Sequence, residues 1–133
     1  MKNIFSLDGK TALITGAGGL LGPKHAEAII EYGGRVILTD HHLDRVEDQA
    51  ARLNSKYGDG SAEYYHMDVT DPLSVQAVVD LVDRVDILIN NAAKDPKVKK
   101  GGHLTPSSRF ETMTPEYWNE GIDAALNGTF YCS

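Results

Sequence analysis

Residues 11–23, Thr-Ala-Leu-Ile-Thr-Gly-Ala-Gly-Gly-Leu-Leu-Gly-Pro, decide the fold. Thr11 to Thr15 is a short β-prone run that stops at Gly16, Gly18, Gly19 and Gly22. Beyond the glycines Ala26, Ile29 and Ile30 recur at helical spacing, so the order is strand, turn, helix. Pro23 falls within the first helical turn, where it removes only an amide that has no intrahelical acceptor. Gly33-Gly34 ends that helix.

The same unit repeats downstream. Val36 to Asp40 (VILTD) reads as a second strand, and Leu43, Val46, Ala50 and Leu53 mark one face of a helix closing near Gly58. Glu63 to Met67 is a third strand with polar residues in it. Asp71-Pro72 then opens a helix whose expected buried stripe is Val75, Val78, Val79 and Val82. Asp86 to Asn90 (DILIN) is a fourth strand, of the continuous apolar kind expected where both faces of a parallel sheet are covered. Lys94 to Met113 follows as a long connection with four lysines, two prolines and Gly101-Gly102, and no regular element is expected there. Pro115 starts a last helix, to Cys132, in which Trp118, Ile122, Ala125, Leu126 and Thr129 share a face. Strands alternating with helices imply an α/β fold, a doubly wound parallel sheet with right-handed crossovers.

Composition narrows the function. The 133 residues are the size of one domain, and 41% hydrophobic with 24% charged residues suits a globular chain with a core to bury. The net charge of -6 provides no positive field for nucleic acid or anionic lipid. No apolar run approaches the roughly 20 residues that span a bilayer, and Met1 to Lys10 lacks the apolar core of a secretory signal. No membrane or nucleic-acid partner is therefore expected, and the cytoplasm is the expected location. Cys132 is the single cysteine, so neither an intrachain disulfide nor a cysteine zinc cluster can form. His25, His41, His42, His66 and His103 lack the i, i+4 spacing that puts two imidazoles on one helix face, and no metal site is expected.

A glycine cluster between strand and helix lets backbone amides at the helix N-terminus approach a pyrophosphate, where the helix dipole favours negative charge. A merely tight turn is the alternative. Asp40 weighs against it, because it stands 18 residues after Gly22 at the end of the second strand. There an acidic side chain can accept hydrogen bonds from adenosine ribose hydroxyls, although an N-cap would also suit an aspartate.

Thr15-Gly16-Ala17-Gly18-Gly19-Leu20-Leu21-Gly22, Asp40, Asp68-Val69 and Asn90-Asn91-Ala92-Ala93 together resemble the short-chain dehydrogenase/reductase family, over essentially the whole chain. The resemblance implies a Rossmann-type sheet, here its first four βα units, over residues 1–133. It implies that the amides around Gly16, Gly19, Leu20 and Leu21 hold a pyrophosphate while Gly22 allows close helix packing. Asp40 would hold the ribose, and Asp68 with Val69 the adenine, against the alternative of an aspartate that caps nearby amides. Asn90 resembles the asparagine that braces the central strands, and Ala92 and Ala93 leave room for the cofactor. The implied cofactor is NAD, with NADP less favoured because its 2'-phosphate would meet the Asp40 carboxylate.

The chain departs from the family pattern in three places. Leu20 stands where many short members have glycine, which brings the spacing closer to a longer, sugar-nucleotide-modifying branch. The fourth-strand motif is NNAA instead of NNAG. Ala125 occupies the place of the asparagine that supports the family's proton relay, and Asn127 lies on another helical face. The family's catalytic tyrosine has a lysine four residues on, which lowers its pKa. No tyrosine of this chain has that neighbour, so no catalytic residue is assigned, and the chain reads as truncated before the catalytic segment. The expectation is a cofactor-binding half that is inactive alone, with an exposed edge at its fourth strand.

The leading function is thus an NAD-dependent oxidoreductase acting on the hydroxyl or carbonyl of a small-molecule substrate. The alternative is a dinucleotide-binding module or regulatory subunit without catalysis; a doubly wound domain for some other phosphorylated ligand has the least support. The long insertion loosely resembles those of relatives that work on bacterial surface sugars. Lys94 to Met113 is accordingly expected to form a lid, with Lys97, Lys99 or Lys100 meeting an anionic sugar derivative, and disorder is its main alternative. The last helix would pair with a second copy in a homo-oligomer, or else pack only on its own sheet.

Overall fold

The computed structural model describes residues 4–94, 98–99, 103–104 and 109–133. Its central strand is β1 (Thr11–Thr15), buried at every position. Parallel partners lie on both sides of it, β2 (Arg35–Asp40) on one and β4 (Ile87–Ile89) on the other, and β3 (Ala62–His66) pairs with β2 to give the order β3-β2-β1-β4. The order reverses between β1 and β4, which opens a crevice outside their carboxyl ends. All four expected strands are present, with ends shifted by a residue or so.

Side chains alternate across this sheet and build two cores. Ile14, Val36, Leu38 and Ala62 face Ala26 of α1 (Gly22–Glu31) and Val46, Ala50 and Leu53 of α2 (Leu43–Tyr57). On the opposite face Leu13 and Ile37 pack with Met67, Val69 and with Val75 and Val78 of α3 (Pro72–Leu81). The expected stripe of α3 is narrower than its sequence suggests: Val79 is 53% exposed, and Val82 is half-buried at the helix end. β4 is likewise only half-buried, where a strand covered on both faces was expected. The reason is positional. Among the described residues β4 is an edge strand of the four-stranded sheet, and beside it an apolar cleft of about 360 Å³ runs along Leu88, Val78, Val82, Met67 and Cys132.

Side chains tie the layers at their ends. Asn54 of α2 donates to the carbonyl of Ala62 and accepts from its amide, at 2.9 and 3.0 Å, and so fixes the start of β3. Asp86 accepts the Thr11 amide at 3.0 Å and lies 3.5 Å from the Lys10 ammonium, anchoring β4 beside β1.

Within residues 94–113, where no regular element is expected from sequence, a two-residue antiparallel pair forms between β5 (Val98–Lys99) and β6 (His103–Leu104), and a short 3-10 turn spans Phe110–Thr112. Lys97 and Lys100 lie outside the described residues. The last helix consists of α4 (Pro115–Ile122), a π-helical turn (Asp123–Asn127) and α5 (Gly128–Cys132). Thr114 caps it by accepting the Tyr117 amide at 3.2 Å. The face carrying Trp118 and Leu126 is exposed, at 52% and 63%, and the helix meets the sheet's second core instead through Gly128 and Cys132.

Candidate functional site

The glycine turn leaves β1 with Gly16 at φ +60°, a left-handed conformation that disfavours any side chain. A Cβ on Gly16 would stand 2.7 Å from the Cα of Ala92, so the turn and the loop after β4 touch through bare backbone. Gly22 is equally constrained, since a Cβ there would meet the Ala17 carbonyl at 2.4 Å. Gly18 lies against Arg45 of α2, at 2.6 Å from a built Cβ to the Arg45 Cβ. The glycines are therefore required by packing as well as by the turn.

Helix α1 starts directly behind them. Its cap residue, Leu21, offers no side-chain acceptor, and the first turn carries no acidic residue. Among the described residues no acceptor meets the amides of Leu20 or Leu21, whose side chains are 90% and 58% exposed. Uncapped amides at a helix N-terminus, reached across glycines, form a place for a phosphate group.

Asp40 ends β2 beside this turn and is 6% exposed. One carboxylate oxygen accepts the Gly18 amide at 3.0 Å, the other the His42 amide at 2.9 Å, and His41 Nδ1 lies 3.3 Å from the latter oxygen. Two backbone bonds hold the carboxylate in one orientation and leave Oδ2 a further lone pair, while Oδ1 also faces His41.

Asp68 follows β3. Its Oδ1 accepts both the hydroxyl and the amide of Thr70, at 2.7 and 2.9 Å, and these bonds hold its carboxyl below the usual range, with smaller contributions from His41 and His66. The local capping role weighed from sequence is thus present, and among the described residues no hydrogen bond engages Oδ2. Val69 is buried against Gly128 of α5, so it supports the site wall from behind.

The bracing role expected of Asn90 belongs to its neighbour. Asn91 Nδ2 donates to the carbonyls of Thr15 and Gly16, each at 3.0 Å, while its amide and that of Ala92 both donate to Thr15 Oγ1 at 3.0 Å. Asn90 is exposed and reaches only Ser133 Oγ, at 3.4 Å. Successive residues leaving a strand point to opposite sides, so only one of the two asparagines can face β1. Ala92 and Ala93 stand half-buried and exposed beside the turn. Sequence reasoning also missed Thr15 Oγ1 and His41 as parts of the site. Thr15 ends the strand run and its side chain could have been read as facing the next motif.

Lys94 does not stand free in solvent: its ammonium pairs with Glu120 and lies 4.9 Å from the Tyr117 ring centre, which ties the loop to α4. Ala125, at the position of the relay asparagine, falls in the π-helical turn.

Residues 10–133 match the short chain dehydrogenase profile. The chain belongs to this family. The oxidoreductase YxbG of Bacillus subtilis is 38% identical over 96% of this chain and 44% of its own length. D-threitol dehydrogenase of Mycolicibacterium smegmatis is 35% identical over 95% of the chain and 45% of that protein. Among solved structures, 3-ketoacyl-(acyl-carrier-protein) reductase of Brucella melitensis with NADH superposes with a TM-score of 0.78 at 28% identity, covering 96% of this chain and 48% of the other. Gluconate 5-dehydrogenase of Burkholderia cenocepacia with NADP and tartrate gives 0.79 at 26% identity, covering 96% and 47%. This short-chain dehydrogenase chain thus spans about half the length of the relatives it matches. Its sheet is the Rossmann-type half of theirs, and no helix among its described residues is long and apolar enough to cross a membrane.

Proposed function

We propose that this short-chain dehydrogenase chain is the NAD-binding half of a cytoplasmic oxidoreductase that interconverts a hydroxyl and a carbonyl group on a small molecule. The observation that carries the reading is the Asp40 carboxylate, buried and held by the Gly18 amide beside the uncapped start of α1. The Leu20 and Leu21 amides would hold the pyrophosphate, Asp40 the adenosine ribose, and Asp68 the adenine. When bound, the nicotinamide would supply or accept hydride. The chain's own part is to orient it: Asn91 and Thr15 lock the turn to the β4 loop, and Ala92 keeps that wall low.

NAD is favoured over NADP because a 2'-phosphate would meet a fixed carboxylate in a partly desolvated place, at a cost on the order of a few kcal/mol. That corresponds to roughly hundredfold discrimination. The substrate we favour is a sugar derivative whose anionic group would meet Lys97, Lys99 or Lys100, and two relatives named for polyol or sugar-acid chemistry support that choice. The exposed face of Trp118, Leu126 and Phe130 suits pairing with a second copy.

A second reading is a dinucleotide-binding module without catalysis, favoured by Ala125 at the position of the family's relay asparagine. Calorimetric titration with NAD and NADP, for wild type and Asp40→Asn, tests the binding reading. Wild type should bind NAD about a hundredfold more tightly, and the variant should lose most of that preference. Equal affinities in wild type would overturn it. Turnover of a sugar-alcohol panel by the whole protein of which this chain is proposed to be half separates enzyme from module.

A further inference from the structure

We propose that His41 is a specificity-determining residue that makes the choice between NAD and NADP depend on pH, because its protonated ring neutralises Asp40 and lets a 2'-phosphate in. The proposal deepens the dinucleotide reading above and rests on it.

Asp40 cannot turn away from an incoming phosphate, since the Gly18 and His42 amides fix both of its oxygens. The variable charge is the imidazole beside it. His41 Nδ1 lies 3.3 Å from Asp40 Oδ1, and the two side chains differ sharply in exposure, 65% for His41 against 6% for Asp40. The ring is thus open to solvent protons on one side and in contact with the selecting carboxylate on the other. Histidine is the side chain that changes charge within the physiological range. With the ring neutral, the ribose end of the site carries the full carboxylate charge and rejects a phosphate. With the ring cationic, the pair is close to neutral, and a 2'-phosphate gains a donor.

The surrounding ionisable groups agree with this role. On the same segment stand Asp44, Arg45 and His42, whose ring lies 3.9 Å from that of His41, centre to centre. Across the sheet His66 pairs in register with Asp40, and Asp68 follows it. The Asp68 carboxyl, held low chiefly by Thr70, stays charged wherever histidine titrates and attracts the His41 cation.

The experiment measures dissociation constants of NAD and NADP for the full chain from pH 5.5 to 8, in wild type, His41→Gln, His41→Lys and His42→Gln. In wild type and His42→Gln the ratio of the NADP constant to the NAD constant should fall roughly tenfold on acidification. His41→Gln should hold the ratio at its high value, and His41→Lys should hold it low at every pH. The 2'-phosphate itself takes up a proton near pH 6, and an equal fall in His41→Gln would assign the effect to the phosphate and overturn the proposal. A ratio independent of pH in wild type would also overturn it while leaving the dinucleotide site intact. Failure of both cofactors to bind at any pH would remove the site and the proposal together.

Discussion

Asn91 and Thr15 interlock: the Asn91 side chain donates to the Thr15 and Gly16 carbonyls while Thr15 Oγ1 accepts two backbone amides from the Asn91–Ala92 segment. Four bonds of about 3.0 Å join the ends of β1 and β4. The wall of the crevice between β1 and β4 is thereby one rigid piece, although its halves are 75 residues apart in the chain.

Asn91→Ala should cost about 1–3 kcal/mol, the usual result of leaving partly buried polar groups unpaired, and should weaken NAD binding. Asn90→Ala should change stability by no more than about 0.5 kcal/mol, since its one bond is long and exposed. Urea unfolding of the two variants, with NAD titration, checks the contrast. Equal losses would show that the bracing is shared.

Two glycines separate strain from collision. Gly60 has φ +83° with open space around it, so Gly60→Ala should cost only the left-handed backbone penalty, about 1–2 kcal/mol. Gly16→Ala adds a Cβ 2.7 Å from Ala92 and should lose a further ~1–3 kcal/mol, together with NAD affinity. Comparable unfolding midpoints for the pair would mean that the β4 loop yields easily.

Gly128→Ala would ordinarily strengthen a helix by about 1 kcal/mol. Here the new methyl would stand 2.8 Å from Val69 Cγ2, so a net loss is expected. Val69→Ala should relieve part of it, and the double variant should be more stable than the sum of the single changes predicts. Strict additivity would place the damage elsewhere.

Asp86 sets an acid limit on the start of β4. Its carboxyl is held below the usual 3.8, first by the Thr11 amide and then by Arg84 and Lys10. A depressed folded-state value means that the stabilisation is present above the unfolded value and lost as pH falls through the folded one. Asp86→Asn should therefore melt below wild type at pH 7, with the gap closing as pH drops below 3.8. A gap that stayed constant with pH would exclude the charge as its source.

Local sequence determined the order of strands and helices, because the glycine turn, the proline-opened helices and the apolar runs act on their own neighbours within a few residues. It also placed Asp40 at the end of β2, since strand length and alternation alone put it there. Other features depended on which segments the fold brought together. Asn90 and Asn91 are identical in type, and only the position of β1 beside β4 decided which one bridges to Thr15. The half-burial of β4 beside the described sheet edge is a matter of strand order that the apolarity of Ile87 to Ile89 does not encode. His41 acquired its place next to the Asp40 carboxylate in the same way. A histidine after a strand carries no sign of its partner until the backbone turns it onto Asp40, because a contact between side chains is set by distance in space and not by spacing along the chain.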